Sequence, residues 1–260
     1  MIKFFRRLRQ KLLEENRFSK YLLYAFGEII LVVIGILIAL QLNNWNEVQK
    51  LQETEKIILA DLKSEFLENI ESAEGSIELN LLNSQTCVQI NDLIQSDSLS
   101  YHEEKLDGYL VQLGYISSYK PDRGVMDQII NSGKINVLSN PNLRSSITKL
   151  NSTIDEAASD SKYASENYTH NLFPYLAKYF PLANGDLVKP GFQDEVPLYA
   201  EQSVFEIDWK EIDLLEFQNT IWHHKHNVDF LIKKDFELKE KMEFVLTEID
   251  RSLRDLERGD

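Results

Sequence analysis

The most constraining feature of the sequence is a 22-residue apolar stretch, Tyr21 to Leu42, which contains a single acid, Glu28. As an α-helix the stretch would be about 33 Å long, close to the roughly 30 Å hydrocarbon core of a bilayer. Its strongly apolar residues favour insertion by about 4 to 8 kcal/mol, whereas Glu28 opposes insertion by about 2 to 3.5 kcal/mol. The balance predicts a transmembrane helix over residues 21–42.

A cleaved signal peptide and a buried helix of a soluble protein both fit this stretch less well. A signal peptide has a shorter charged region than the one found here, and no clean A-x-A site follows the apolar run. A buried soluble helix is disfavoured because the run is apolar on every face. We therefore expect a retained, single-pass signal anchor.

The basic residues set the expected orientation. Residues 1–20 carry seven Lys and Arg and two Glu, whereas the segment that follows the span is acidic on balance. Positively charged flanks stay in the cytoplasm, so the N-terminus is expected there and residues 43–260 on the opposite side. Tyr21, Tyr24 and Trp45 are suited to anchoring the two membrane interfaces.

The leader, residues 1–20, is predicted to be an amphipathic cytoplasmic helix. Four apolar residues share one helical face and basic residues surround them: Ile2, Phe5, Leu8 and Leu12. Such a helix lies flat on an anionic leaflet, which makes lipid the expected partner and accounts for the charge without nucleic acid. The predicted membrane-surface residues are Arg6, Arg7, Arg9 and Lys11.

Charge and cysteine content limit the function of the remainder. The whole chain has a net charge of −14, so the part that follows the basic leader is more acidic still and should repel nucleic acid. Cys87 is the single cysteine, which excludes an intrachain disulfide and CxxC redox or zinc chemistry. We expect Cys87 to be a small buried apolar residue, with an intermolecular disulfide as the alternative.

Helical periodicity dominates residues 43–260. Apolar residues recur at helical spacing over residues 45–96, 101–115, 125–130, 143–172 and 214–256. Gly133 is predicted to stop a helix, and Asn140 with Pro141 to begin the next, which Pro174 should disturb and Pro181 should end. Residues 181–210 are predicted to be an irregular crossover with one short strand at 203–207.

The predicted fold class is therefore all-α. One N-terminal transmembrane helix precedes an elongated helical bundle with long helices, in which wide apolar stripes favour packing of several helices over a bare two-stranded coiled coil. The predicted organisation is a leader over residues 1–20, a span over 21–42 and one extracytoplasmic bundle domain over 43–260.

Two stretches of the chain resemble a known family. The first 47 residues, with their basic leader, a span that starts at "GEI" and the exit "NNWNE", resemble an uncharacterised family of single-pass membrane proteins from flavobacteria and their relatives. The later "INSGKINVLSNPNLRSSI" resembles the middle segment of that family more loosely. The resemblance implies a Gram-negative inner membrane and a periplasmic domain, and it implies no activity.

Three roles are open to the acid within the span. Glu28, Val32, Gly35 and Ala39 share one helical face, and Gly35-xxx-Ala39 is a small-xxx-small pattern that lets a second helix approach. We favour a neutral Glu28 that hydrogen-bonds across this face to a second copy or to another membrane protein. The alternatives are an acid that only reaches the cytoplasmic interface and an ion relay of the kind found in motor stator subunits.

No motif indicates catalysis, a metal or a cofactor. The one histidine cluster is "IWHHKHN", in which His223 and His226 have metal-pair spacing without a matching third ligand, and His224 lies on the apolar stripe. Nucleotide-binding, hydrolase and EF-hand signatures are missing. We expect a membrane-anchored interaction, scaffold or accessory subunit; the alternatives are a sensory subunit that binds a small ligand and, less favoured, an unrecognised hydrolase.

Overall fold

The computed structural model describes residues 18–188, 199 and 201–258, without the side chains of residues 18–21, 23–24 and 158–161. Over these residues the protein is helical and contains no strand, which confirms the all-α class. The strand expected at 203–207 is wrong. The backbone N–H of Ser203 bonds to the side chain of Asn184, and that of Phe205 bonds to Ser203 Oγ, so side chains satisfy donors that a strand would pair with backbone.

The first helix, α1, is Phe18–Gln95, and it has no proline in its sequence that would break it. The chain divides into two compact units, Met1–Ile57 and Ile58–Asp260. In the first unit the described part is helical throughout, and its most apolar 18-residue stretch has no buried residue. Within the described residues this is the one helix that is long and apolar enough to cross a membrane.

The second unit contains the rest of α1 and six further helices among its described residues. These are α2 Glu103–Leu113, α3 Gly124–Asn131, α4 Pro141–Asn167, α5 Phe173–Tyr179, α6 Gly185–Val188 and α7 Leu214–Arg258. Three 3₁₀ turns lie between them, at Leu99–Tyr101, Lys134–Val137 and Leu182–Asn184. The helix expected over 214–256 is thus confirmed as α7.

The helices α1 and α7 run antiparallel. At one end of the pair Lys63 Nζ lies 2.7 Å from Asp250 Oδ1, and at the other Gln218 Nε2 donates to Asn91 Oδ1 at 2.8 Å. The intervening apolar faces bury two clusters of side chains, because each helix has a wide apolar stripe that must leave water.

The core has two parts, which we name after their largest buried rings. The Phe66 cluster joins α1, α3, α4 and α7 around Leu62, Phe66 and Met242. The Phe217 cluster joins the end of α1 with α2, α5 and the start of α7 around Leu106 and Phe217. Cys87 belongs to the Phe217 cluster as a free, buried thiol, as expected.

Local signals determine where α4 begins. Gly133 has a φ of 73°, a left-handed conformation that glycine adopts without strain. Asn140 then caps α4, since its Oδ1 accepts from the N–H groups of Asn142 and Leu143 at 2.9 and 3.2 Å, and Pro141 is the first helical residue. Both predicted signals are confirmed.

A π-helical turn, Tyr168–Leu172, joins α4 to α5. It ends where the N–H of Phe173 bonds to the carbonyl of Tyr168, five residues earlier. The following residue, Pro174, has no N–H and its ring would collide with the carbonyl four residues before it in an α-helix. The wider turn relieves that collision, so the predicted disturbance at Pro174 takes the form of a π-turn.

Candidate functional site

The face predicted for contact between spans lies on α1. Val32 and Ala39 are exposed, and a Cβ added to Gly35 would meet nothing within 4 Å. Glu28 is partly buried. The helix places all four residues on one side, because their spacings of four, three and four match the helical period. The four basic residues predicted to bind lipid, Arg6, Arg7, Arg9 and Lys11, lie outside the described residues.

The three histidines of "IWHHKHN" have different surroundings on α7. His224 is 1% exposed and belongs to the core, as expected. His223 is half-buried, with Nδ1 3.2 Å from Asn167 Nδ2, whereas His226 is exposed and stacks on Trp222 with ring centroids 5.4 Å apart. Within the described part of the chain, no group of three His, Cys, Asp or Glu could hold a metal ion.

The side chain of Asn83 determines which nitrogen of His224 carries the proton. Asn83 Nδ2 lies 3.1 to 3.2 Å from the carbonyl oxygens of Gln112, Leu113 and Tyr115, so it caps the C-terminal end of α2. Asn83 Oδ1 therefore faces His224 Nε2 at 3.0 Å, and an amide oxygen can only accept, so the imidazole donates from Nε2. Burial lowers the pKa of His224 to about 4, which keeps the ring neutral at physiological pH.

Two further asparagines of α1 hold the segment 114–123 against the helix. Asn80 exchanges hydrogen bonds with the backbone of Ser117, donating at 3.1 Å and accepting at 2.9 Å. Asn69 does the same with the backbone of Asp122, both at 2.7 Å. Because Asn69 and Asn80 are about three helical turns apart, they act as two clamps on this segment and satisfy part-buried backbone groups in it.

A carboxylate on α1 begins the next helix. Glu65 accepts from the N–H groups of Val125 and Met126 at 2.6 and 3.1 Å, in the first turn of α3. A negative group at this position also complements the positive end of the helix dipole. One row of polar residues on α1 thus positions α2, the segment 114–123 and α3.

A buried acid lies between the two clusters. Asp235 on α7 is 4% exposed and accepts a 2.8 Å hydrogen bond from Ser76 Oγ on α1. Burial raises the pKa of Asp235 to about 6, and the Ser76 hydrogen bond opposes that shift. Asp235 therefore loses its proton at a higher pH than an exposed aspartate does.

An open polar groove lies beside the π-turn, with room for about 690 Å³. The π-turn supplies His170 and Asn171, and α5 supplies Tyr175. The start of α7 supplies the remaining side chains, which are Asp213, Leu215, Glu216, Asn219, Thr220 and His223. Asp213 also caps α7, since its Oδ1 accepts from the N–H groups of Leu215 and Glu216.

The chemistry available in this groove is recognition by hydrogen bonds and charge. Histidines, carboxylates and amides line it, and π-turns are frequent at functional sites. The single cysteine of the chain, Cys87, lies outside this groove, in the Phe217 cluster. Burial raises the pKa of the Cys87 thiol to about 12, so it is protonated at neutral pH and is a poor nucleophile or metal ligand.

Comparison with known proteins adds one positive finding. A family model described as "Family of unknown function (DUF6090)" matches residues 28–172, more than half of the chain. The chain belongs to this family. No curated protein matches the chain, and no solved structure matches it.

The DUF6090 match confirms the expected membership of a family of unknown function. The matched residues begin at Glu28 and end at Leu172, so they include most of the apolar part of α1, the asparagine clamps and the π-turn. The terminal helix α7 lies outside the matched residues. The flavobacterial origin and the single-pass topology stay predictions.

Sequence reasoning missed the asparagine clamps. Asn69, Asn80 and Asn83 are buried on the same face of α1 as the core residues. The available signal was their register, because spacings of eleven and three place amides on an otherwise apolar stripe. The partners of these amides could not be read from the sequence, because they are backbone groups 29 to 53 residues further along the chain.

Proposed function

We propose that this member of the DUF6090 family is a membrane-anchored interaction subunit of the cell envelope. Residues 21–42 would hold it in the inner membrane with the leader in the cytoplasm and the helical body in the periplasm. The proposal assigns no reaction, metal or cofactor to the chain. The proposed partners of the protein are membrane lipid and either a second copy or another membrane protein.

The observation that carries this proposal is the filled interior of the helical body. The Phe66 and Phe217 clusters are buried, the amides of Asn69, Asn80 and Asn83 bond to backbone, and Ser76 bonds to Asp235. A body in which most buried polar groups bond internally has its outer surface left for recognition. That arrangement favours a scaffold or accessory subunit over an enzyme.

Topology is the first part of the proposal to test. Sealed inner-membrane vesicles and spheroplasts expose opposite faces of the membrane to an added protease. The body should be cleaved in spheroplasts and protected in inverted vesicles, and the chain should resist carbonate extraction. A body that is cleaved in inverted vesicles, or a chain that carbonate releases, would refute the anchored arrangement.

The role of Glu28 needs a separate measurement. Glu28→Leu should weaken self-association of the span in membranes, and Gly35→Leu should do the same by blocking close approach. Glu28→Gln is the matched variant, because it keeps hydrogen bonding and should keep association. Unchanged association in both Leu variants would reject self-contact through this face, and co-purification with and without Glu28 would then test a foreign partner.

The groove beside the π-turn favours a second candidate function, a sensory subunit. Asn167 and His223 link the end of α4 to α7, and the ring of Tyr168 in the π-turn lies 5.8 Å from that of His224. A ligand in the groove would therefore contact residues that adjoin the buried His224 and Asn83. This candidate predicts that a small polar ligand stabilises the body.

The sensor candidate can be tested by blocking the groove. Thermal unfolding of the purified full chain would be followed with small amines and small carboxylic acids as probes. A sensor predicts a higher unfolding midpoint with one probe class and loss of that rise in Thr220→Trp, which fills the groove. Thr148→Trp, at an exposed position of α4, is the control. No shift with either class would leave the interaction subunit as the better account.

A further inference from the structure

The terminal helix α7 has an apolar face on the side away from the core, whose rings are covered only in part, as by His226 on Trp222 and Lys234 over Phe230. Its core face contacts the two clusters, yet five large apolar side chains on the other side are exposed. They are Leu215 at 65%, Trp222 at 62%, Phe230 at 42%, Phe236 at 44% and Phe244 at 56% exposure. We call these five residues the outer aromatic face.

The outer aromatic face is large enough for a specific interface. A covered aromatic side chain buries about 150 to 250 Å², so these five leave on the order of 500 Å² of apolar surface exposed. Two such faces would bury about 1,000 Å² together, which is the lower limit for a biological interface. The polar residues that border the face would add to this area.

Charge distinguishes this face from the rest of the protein. Residues 215–244, which include all five side chains, contain five lysines and six acids, of which Asp235 is buried, whereas the whole chain has a net charge of −14. Several of these charges pair along the helix, as in Lys225 with Asp229 and Lys239 with Glu243. A strongly acidic protein thus has one charge-balanced apolar surface, where a second acidic chain can approach without net repulsion.

We propose that the outer aromatic face of α7 binds the same face of a second copy, so that the protein is a twofold-symmetric dimer. A basic partner would select an acidic surface, and an anionic membrane would select a basic one, whereas a balanced face selects another balanced face. The inference deepens the proposed interaction role by naming its partner, and it rests on that role only in placing both copies in one membrane.

Three exposed polar residues allow the contact to be tested without altering the rings. His226, Lys233 and Glu240 are exposed and spaced by seven, so they lie along the middle of the face. Each would be changed singly to cysteine in a full-length Cys87→Ala background and oxidised in native membranes. Glu156→Cys on α4 and Glu78→Cys on α1, also exposed, are the controls.

We expect a disulfide-linked dimer from at least one of the three α7 cysteines, several-fold above both controls. The dimer should also form in a Glu28→Leu background, which removes the proposed contact between spans. No dimer from any α7 cysteine, or equal dimer from the controls, would overturn the proposal. Failure of the anchored arrangement would appear instead as carbonate release, so the two failures are distinguishable.

A second measurement does not depend on disulfide formation. The double variant Trp222→Ala and Phe230→Ala should raise the dimer dissociation constant in lipid nanodiscs about tenfold or more, because buried aromatic residues dominate interface energies. Phe205→Ala, which truncates a ring that is 76% exposed outside α7, should leave the constant unchanged. An unchanged constant in the double variant would overturn the proposal.

Discussion

Two stretches of the single helix α1 use apolar residues in opposite ways. Between Ala25 and Leu42 the large apolar side chains are exposed on every side. Between Ile58 and Leu93 most of them lie on one face and are buried, with Leu59, Leu62 and Ile90 fully inaccessible, although a few at the edge of the stripe, such as Leu67, are exposed. Backbone conformation is the same in both stretches, so the distribution of side chains around the helix accounts for the difference.

The comparison shows that periodicity is more informative than hydrophobicity. An all-round apolar helix has no preferred protein face and suits lipid, whereas a one-sided stripe specifies packing against other helices. The buried stripe also includes Asn69, Asn80 and Asn83, whose amides have backbone partners. In the exposed stretch the one acid is Glu28, and an ionisable residue within a membrane span is a candidate functional residue.

The largest effect is expected from substitutions that place charges in the exposed apolar stretch. The double variant Leu31→Arg and Ile34→Arg should cost about 5 to 7 kcal/mol of insertion free energy, which cancels the apolar contribution of the span. We expect loss of membrane retention, measured by carbonate extraction and sedimentation.

A matched arginine in the second unit controls for folding defects. Leu67→Arg changes an exposed leucine of the same helix outside the span and should leave retention unchanged. Retention of the double variant would contradict the membrane assignment.

A smaller effect is expected from the buried stretch. Phe66 is 1% exposed in the core, so Phe66→Ala should lower the free energy of unfolding of the body by about 3 to 5 kcal/mol through the cavity that it leaves. Denaturant unfolding of the full chain in nanodiscs, followed by tryptophan fluorescence, measures this change.

Phe26 offers the matched control on the same helix. It is 67% exposed within the apolar stretch, so Phe26→Ala should not change the unfolding of the body. Equal effects of the two alanine variants would mean that the comparison between the two stretches is wrong.

Loss of one asparagine clamp should have a smaller effect than loss of the Phe66 ring. Asn83→Ala leaves the carbonyls that end α2 and the Nε2 of His224 without their partner, which should cost about 2 to 3 kcal/mol. The free energy of unfolding at neutral pH measures the loss, and Asn131→Ala, an exposed position, is the control. A loss no larger than the control would show that water replaces the amide.

The smallest effect is expected in the pH dependence of stability, through the buried Asp235. The pKa of Asp235 is raised from its ordinary value near 4 to about 6, so the folded state binds the proton more tightly than the unfolded state. The stability from this group is therefore fully present below about pH 4 and is lost as the pH rises through 6. Asp235→Asn should remove that dependence and stabilise the body at pH 7.5 by on the order of 1 to 2 kcal/mol.

The pH series should include a second Asp-to-Asn variant. Asp250→Asn alters a half-exposed acid that pairs with Lys63, so it controls for loss of a surface charge. His224 acts in the opposite direction. Its pKa is lowered to about 4, so stability falls as the pH drops below about 6.5, and this loss should persist in Asp235→Asn. A variant whose stability keeps the pH step between 4 and 6 would show that another group causes it.

Much of the fold was predictable because its signals are local. The expected end of the first long helix near residue 96 agrees with Gln95, and the cap at Asn140 is confirmed. Predicted burial of His224 followed from its position on an apolar stripe, and that of Cys87 from the apolar character of a lone thiol. The strand at 203–207 was wrong, since alternating apolar residues do not reveal that Asn184 takes up the N–H of Ser203.

The sequence by itself determined the helical class, the apolar stretch suited to a membrane and the caps, because each depends on residues a few positions apart. Tertiary structure alone decided which backbone groups Asn69, Asn80 and Asn83 bind, and which of the histidines is neutral and enclosed. It also decided that the buried Asp235 accepts a hydrogen bond from Ser76, which lies 159 residues away in the sequence. These properties arise when distant segments exclude water together, and no local pattern encodes that exclusion.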